Sequence, residues 1–176
     1  PGYRMAEAAA SQLGEHKQVF QGADMSTKLK LLGVDVGSIG DAHGRAEGSL
    51  AYQFCDEKAA VYKRINVSAD GTRLLGAVLV GDCADYDTLL QYFLNGIALP
   101  AAPESLILPA VAGGAPTLGP AALPLTATLC SCHNVSKGAV VEAIDAGCRA
   151  LGDVKSATRA STGCGGCAAL LKSVVE

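Results

Sequence analysis

From the N-terminus, apolar residues first recur at helical spacing. In YRMAEAAASQLG, Met5, Ala8, Ala9 and Leu13 share one side and Gly14 offers a stop, which predicts a helix. GVDVGSI then predicts a strand. SLAYQFCD alternates, with Leu50, Tyr52 and Phe54 on one face, and AAVYKRINVS keeps Val61, Ile65 and Val67 in step. TRLLGAVLVG is apolar on both faces, the pattern of a central strand. Turn chemistry in DEK and SADG joins these last three runs into an antiparallel meander. A helix follows, with Asp85 as its cap and Asp87 at its positive end. Its expected buried stripe is Leu89, Leu90, Phe93, Leu94 and Ile97.

Beyond residue 97 the pattern changes. No charged side chain occurs from Ser105 to Ser136, and six of the seven prolines lie between Pro100 and Pro124. Prolines and glycines at this density would break a membrane-spanning helix repeatedly, so residues 98–127 read as an Ala/Pro/Gly linker or arm. The remainder is helical. SKGAVVEAIDAG predicts a helix starting at Ser136, burying Val140, Val141 and Ile144 and ending at Gly147. Asp153 is the expected cap of a second helix, and CGGCAALLKSVV gives a third with Leu170, Leu171 and Val174 inward. The fold class is therefore α+β: a meander with flanking helices over residues 1–97, a linker over 98–127 and a small all-α unit over 128–176.

Composition narrows the function classes. The chain has 176 residues, 18% of them charged, and a formal charge of −3. No basic stripe with interleaved aromatics is present, so nucleic acid is not an expected partner, and neither is a membrane. Seven cysteines, an odd number, without a basic-apolar leader fit a reducing cytoplasm better than a disulfide scaffold. Because it opens with Pro1, the chain is expected to be a piece of a longer protein.

Several residues invite chemistry and are better read as structural. Gly33, Gly37 and Gly40 lack the G-x-G-x-x-G spacing of a dinucleotide loop and read as turn or bulge glycines. His16 and His43 read as solvated surface residues, Cys55 and Cys83 as small buried thiols, and Cys148 as a structural residue past a helix stop. No Ser/His/Asp or paired-carboxylate set stands out, so no catalytic residue is assigned.

The remaining four cysteines form two hooks. Cys130 and Cys132 lie in TATLCSCHNVSKG, and Cys164 and Cys167 in RASTGCGGCAALL, with 31 residues between the hooks. A unit of under fifty residues has little core of its own, so a metal staple is expected. Zinc sites of four cysteines usually pair two C-x-x-C hooks, whereas the first hook here is C-x-C. A [2Fe–2S] cluster needs two thiolates on each iron, so one short hook per iron is chemically natural. The glycines leave N–H groups free near sulfur, and the following helix offers its positive end to an anionic cluster. Five basic against four acidic side chains make this unit slightly positive. The cluster is preferred, with zinc and a redox dithiol or disulfide as open alternatives. His133 reads as a neighbour of the ligand set or as exposed.

The C-x-C…C-x-x-C pattern with STGCGGC resembles the bacterioferritin-associated-ferredoxin-like [2Fe–2S] domain, over residues 128–176. PGYRMAEAAASQL, GADMSTKLKLLGVDVGSIGDAHG and LLGAVLVGDCADYDTLLQYFLNGI resemble the end of the flavin module in large subunits of assimilatory NAD(P)H-dependent nitrite reductases. That stretch corresponds to the C-terminal interface domain of the pyridine-nucleotide-disulfide reductase class.

The resemblance implies a fragment that relays electrons toward nitrite reduction. It implies FAD, NAD(P)H, sirohaem and a [4Fe–4S] cluster elsewhere in the full-length protein, and Cys130, Cys132, Cys164 and Cys167 as [2Fe–2S] ligands here. The expected partners are the neighbouring flavin and sirohaem domains of the same chain, with a small subunit or a homodimeric copy as further expectations. The linker then either lets the cluster unit swing or packs as a fixed arm. The alternatives are an electron-transfer flavoprotein subunit of assimilatory nitrate reductase, a free ferredoxin-type partner and a zinc-stabilised interaction module.

Overall fold

A computed structural model describes residues 2–14, 17–109 and 119–175. His16 and the middle of the predicted linker lie outside the described residues. The N-terminal helix α1 (Gly2–Ser11) forms where the spacing predicts it, but it buries none of its residues. Met5 and Leu13, expected on a packed face, are exposed.

Five antiparallel strands follow: β1 (Thr27–Leu31), β2 (Val34–Gly40), β3 (Leu50–Asp56), β4 (Val61–Val67) and β5 (Leu74–Val80). Their order is β1-β2-β5-β4-β3, so the strand that is apolar on both faces is the central one. The meander β3-β4-β5 forms as predicted. β1 was not predicted, because TKLKL is exposed along its whole length and shows no buried face to read. Leu32 and Gly33, both at positive φ, make its tight turn into β2, the role expected of Gly33. Gly37 lies under the Tyr86 ring, where a Cβ would meet the ring at 2.7 Å.

Helix α2 (Tyr86–Asn95) packs on β5 and β2 and closes the first core. That core contains Ile39, Ile65, Val67, Ala77, Leu79, Leu89, Tyr86 and Tyr92. The buried side of α2 is rotated from the predicted stripe. Tyr86, Leu89, Gln91 and Tyr92 are buried, while Leu90, Phe93 and Leu94 are only partly so. Asp85 occupies the N-cap position without making a side-chain cap bond. Its carboxylate instead accepts from Lys63 Nζ at 2.6 Å, and Asp82 accepts from the same ammonium at 2.7 Å. The alternation of β4 points Lys63 into the sheet interior beside Ile65, so the structure supplies two carboxylates there.

The described parts of residues 98–127 are packed chain. A 3-10 turn (Pro103–Leu106) lies against β3 and puts Leu106 and Ile107 into the first core. A second turn (Pro120–Ala122) leads Leu123 and Ala127 into a second core. That core is completed by a short ribbon, β6 (Thr128–Cys130) and β7 (Val135–Ser136), and by α3 (Lys137–Asp145), α4 (Leu151–Thr158) and α5 (Ala168–Val175). Val140, Val154, Ala160 and Leu171 are fully buried in it. Residues 128–176 therefore bury more apolar surface than their length suggests. The reason is that Leu123 and Ala127 come from outside the segment and Ile97 packs against both cores.

Helix starts in this part follow local chemistry. Ser136 Oγ accepts from the Ala139 N–H, the expected cap. Asp153, expected as a cap, stands three residues into α4. Its carboxylate reaches back to the N–H of Ala150 at 3.1 Å and of Arg149 at 3.3 Å. The two parts of the chain also meet directly. Asn95 Oδ1, at the end of α2, accepts from the Thr128 N–H that begins β6, at 2.7 Å.

Candidate metal centre

The ribbon β6–β7 presents the first hook. Cys130 ends β6 and is 2% exposed, held between Leu129 and Val135 of the second core. The chain then turns through Cys132 and His133, with Asn134 at positive φ, before β7. The second hook precedes α5. Cys167 sits immediately before the helix, and its carbonyl accepts from the Leu171 N–H at 2.9 Å. Leu171 anchors α5 in the core, so the position of Cys167 is tied to that packing.

The four sulfurs approach each other across the hooks. Cys132 Sγ donates to Cys164 Sγ at 3.3 Å, and both residues are exposed. Cys130 is the sulfur neighbour of Cys167, on the inner side. The chain thus pairs one cysteine from each hook, whereas the spacing suggested each hook as its own pair. The reason is geometric: Thr162 and Gly163 lie directly on the Cys132–His133 turn, and a Cβ at Gly163 would stand 3.2 Å from Cys132 Cβ.

Crowded thiols resist ionisation. At Cys132 the Cys164 backbone N–H favours the thiolate. Burial, the hydrogen bond with the Cys164 thiol and the neighbouring sulfurs outweigh it, so the thiol is pushed up. Burial, then the charge and hydrogen bond of Cys130, push Cys167 up to about 12, against the pull of the Ser161 N–H. Each raised thiol also senses a third sulfur, so the four form one electrostatic set. A cation among them would reverse this balance by favouring the thiolates.

The donor chemistry fits a two-iron centre. Among the described residues, no group of three or more His, Cys, Asp or Glu side chains is placed to hold a metal ion by itself. Two sulfur pairs match two irons that each take two thiolates. Ser161, at positive φ in the second hook, carries the only buried side-chain N or O atom without a hydrogen-bond partner among the described residues. Ser161 and Thr162 stand beside the sulfurs and were not singled out from the sequence, whereas the glycines of this hook were. The signal for Ser161 and Thr162 was the STG before CGGC, which composition alone reads as turn.

The other cysteines stand apart from this set. Cys83 is buried in the first core, as expected, with burial raising its pKa. Cys55 was expected to be buried and is exposed, because β3 directs it to the face opposite Tyr52 and Phe54. Cys148 is half-buried against the second core. His43 is exposed, and His133 is half-buried beside Cys132.

Residues 128–176 match the model of the BFD-like [2Fe-2S] binding domain, and residues 26–97 that of the rubredoxin NAD+ reductase C-terminal domain. Over its whole length the chain is 59% identical to the nitrite reductase [NAD(P)H] large subunit of Klebsiella oxytoca and 52% identical to the nitrite reductase (NADH) large subunit of Escherichia coli. It spans 18% and 21% of the length of those two proteins. It is also 32% identical to an assimilatory nitrate reductase electron transfer subunit of Bacillus subtilis, of which it spans 22%. The chain is thus, from end to end, similar to one segment of the nitrite reductase [NAD(P)H] large subunit, and within it a match to the rubredoxin NAD+ reductase C-terminal domain is followed by a match to the BFD-like [2Fe-2S] binding domain.

Proposed function

We propose that this chain is the electron-relay segment of an NAD(P)H-dependent nitrite reductase, with Cys130, Cys132, Cys164 and Cys167 holding one [2Fe–2S] cluster. The observation that carries the reading is the convergence of these four sulfurs, in two pairs, inside the matched cluster domain. When bound, such a cluster takes up and releases electrons one at a time, which joins a two-electron flavin donor to a one-electron acceptor. Cys130 and Cys167 hold the inner side, screened from water by the second core. Cys132 and Cys164 form the outer edge, open to a partner.

The sulfur pairing supports one thiolate from each hook per iron. The domain division is 1–97, 98–127 and 128–176. In the full-length protein FAD, NAD(P)H, sirohaem and a [4Fe–4S] centre belong to neighbouring domains of the same cytoplasmic chain, with a small subunit or second copy as further partners. No described helix is long and apolar enough to cross a membrane.

Anaerobic reconstitution should give about two irons and two sulfides per chain, with visible absorbance. One tightly bound zinc in a colourless protein would overturn the assignment. The Bacillus subtilis relative favours one second reading, delivery of electrons to nitrate reductase. Activity of the full-length protein with nitrite and with nitrate separates the two.

A further inference from the structure

The two ligand loops are joined by a contact that involves no cysteine. Thr162 Oγ1, two residues before Cys164, lies 3.1 Å from Nε2 of His133, the residue after Cys132. The same hydroxyl donates to the Arg159 carbonyl at 2.7 Å. A hydroxyl has one proton, so with that proton on Arg159 the imidazole must donate its Nε2–H to Thr162. The chain Nε2–H···Oγ1–H···O=C therefore runs from the first hook, through the second, to the end of α4.

The backbone is shaped for this contact. Arg159 and Ser161 both adopt positive φ, flanking a fully buried Ala160. That double reversal takes the chain from α4 back over the first hook, and the Thr162 N–H also returns to the Arg159 carbonyl. Gly163 completes it. A Cβ there would meet Cys132 Cβ at 3.2 Å and His133 Nε2 at 3.4 Å, so a larger residue would push the hooks apart.

We propose that His133 and Thr162 are positioning residues: their hydrogen bond is a strut between the two ligand loops that sets the spacing of Cys132 and Cys164. The strut is made by the chain alone and acts on the outer pair. The inner pair, Cys130 and Cys167, is positioned by core packing instead. The centre is therefore held by two independent devices, apolar burial inside and a polar strut outside. This deepens the cluster reading and rests on it for its spectroscopic arm only.

The test uses the chain with Thr162→Val, Thr162→Ser and His133→Leu. Release of iron to a chelator, followed by loss of visible absorbance, should be about three- to fivefold faster in T162V and H133L. T162S, which keeps the hydroxyl, should stay within about twofold of the parent, and the electron paramagnetic resonance signal should shift in T162V and return in T162S. A second arm needs no metal. In the apo chain, glutathione disulfide oxidises Cys132 and Cys164 to a cross-hook disulfide while being reduced to two glutathiones. Peptide mapping should show this closure slowed by a similar factor in T162V and H133L, and restored in T162S. Equal rates for the parent, T162V and H133L in both arms overturn the strut. If no iron is taken up by any variant, the cluster reading fails, and the apo arm still decides the strut.

Discussion

The sheet unit and the cysteine unit treat their polar groups in opposite ways. In the sheet unit each buried polar side chain is partnered. Lys63 holds Asp82 and Asp85, Asn66 donates to the Asp41 carbonyl and accepts from Arg64, and Gln91 accepts from Asn95. In the cysteine unit four thiols crowd together, the Cys132 and Cys167 thiols are pushed up, and Ser161 Oγ has no partner. A partnered buried group is part of the architecture. Groups that disfavour each other's ionisation are what a bound cation would compensate, and the proposed metal centre is such a cation.

The comparison can be broken most sharply at the sulfurs. Cys130→Ser or Cys167→Ser should abolish the visible absorbance of the reconstituted chain, while Cys55→Ser, Cys83→Ser and Cys148→Ser leave it intact. A bleached spectrum in any of the latter three would move the centre. Next in size is the core. Leu171→Ala should cost about 2–5 kcal/mol, because Leu171 is fully buried, and should loosen the Cys167 loop. Hydrogen exchange should then rise at Val140 and Val154 and stay unchanged at Ile65 and Leu79. Equal loss of protection in both units would show that they unfold as one.

Lys63→Met probes the partnered side. It leaves Asp82 and Asp85 facing each other, but both are partly exposed, so the cost is held to about 1–2 kcal/mol. Burial lowers the pKa of Lys63, and the two carboxylates more than offset it, so the folded value is raised. Asp82 is lowered, chiefly by its hydrogen bond to Lys63. Stability from the raised lysine is fully present below its ordinary value and is lost as pH rises through the folded one. Stability from Asp82 is present above the ordinary carboxylate value and is lost as pH falls through its lowered one. K63M should flatten denaturant midpoints at both pH extremes; an unchanged profile would mean the cluster contributes nothing. The smallest effect is expected at the joint. Asn95→Ala removes the acceptor of the Thr128 N–H and should cost about 1 kcal/mol. It should raise exchange at Thr128 without affecting the sheet. If instead the whole cysteine unit lost protection, this single bond would be what docks it.

The sequence by itself determined the meander, the central strand, the helix positions and the four cysteines as a set, because each of these is written in local spacing. Periods of two and 3.6 and paired hooks survive without knowledge of what lies across the core. It also marked Ser136 as a cap, since a cap bonds within its own turn. Tertiary structure decided what depends on distant partners. Lys63 became an interior residue because strands β4 and β5 bring Asp82 and Asp85 to it across about twenty residues of chain. The same carboxylates explain why Asp85 does not cap α2. Leu123 and Ala127 left the linker for the second core, and the sulfurs paired across hooks because a positive-φ loop lays Gly163 on Cys132. Spacing along a chain specifies which side chains share a face. Which faces meet, and which atoms then touch, follows only from burying all of them at once.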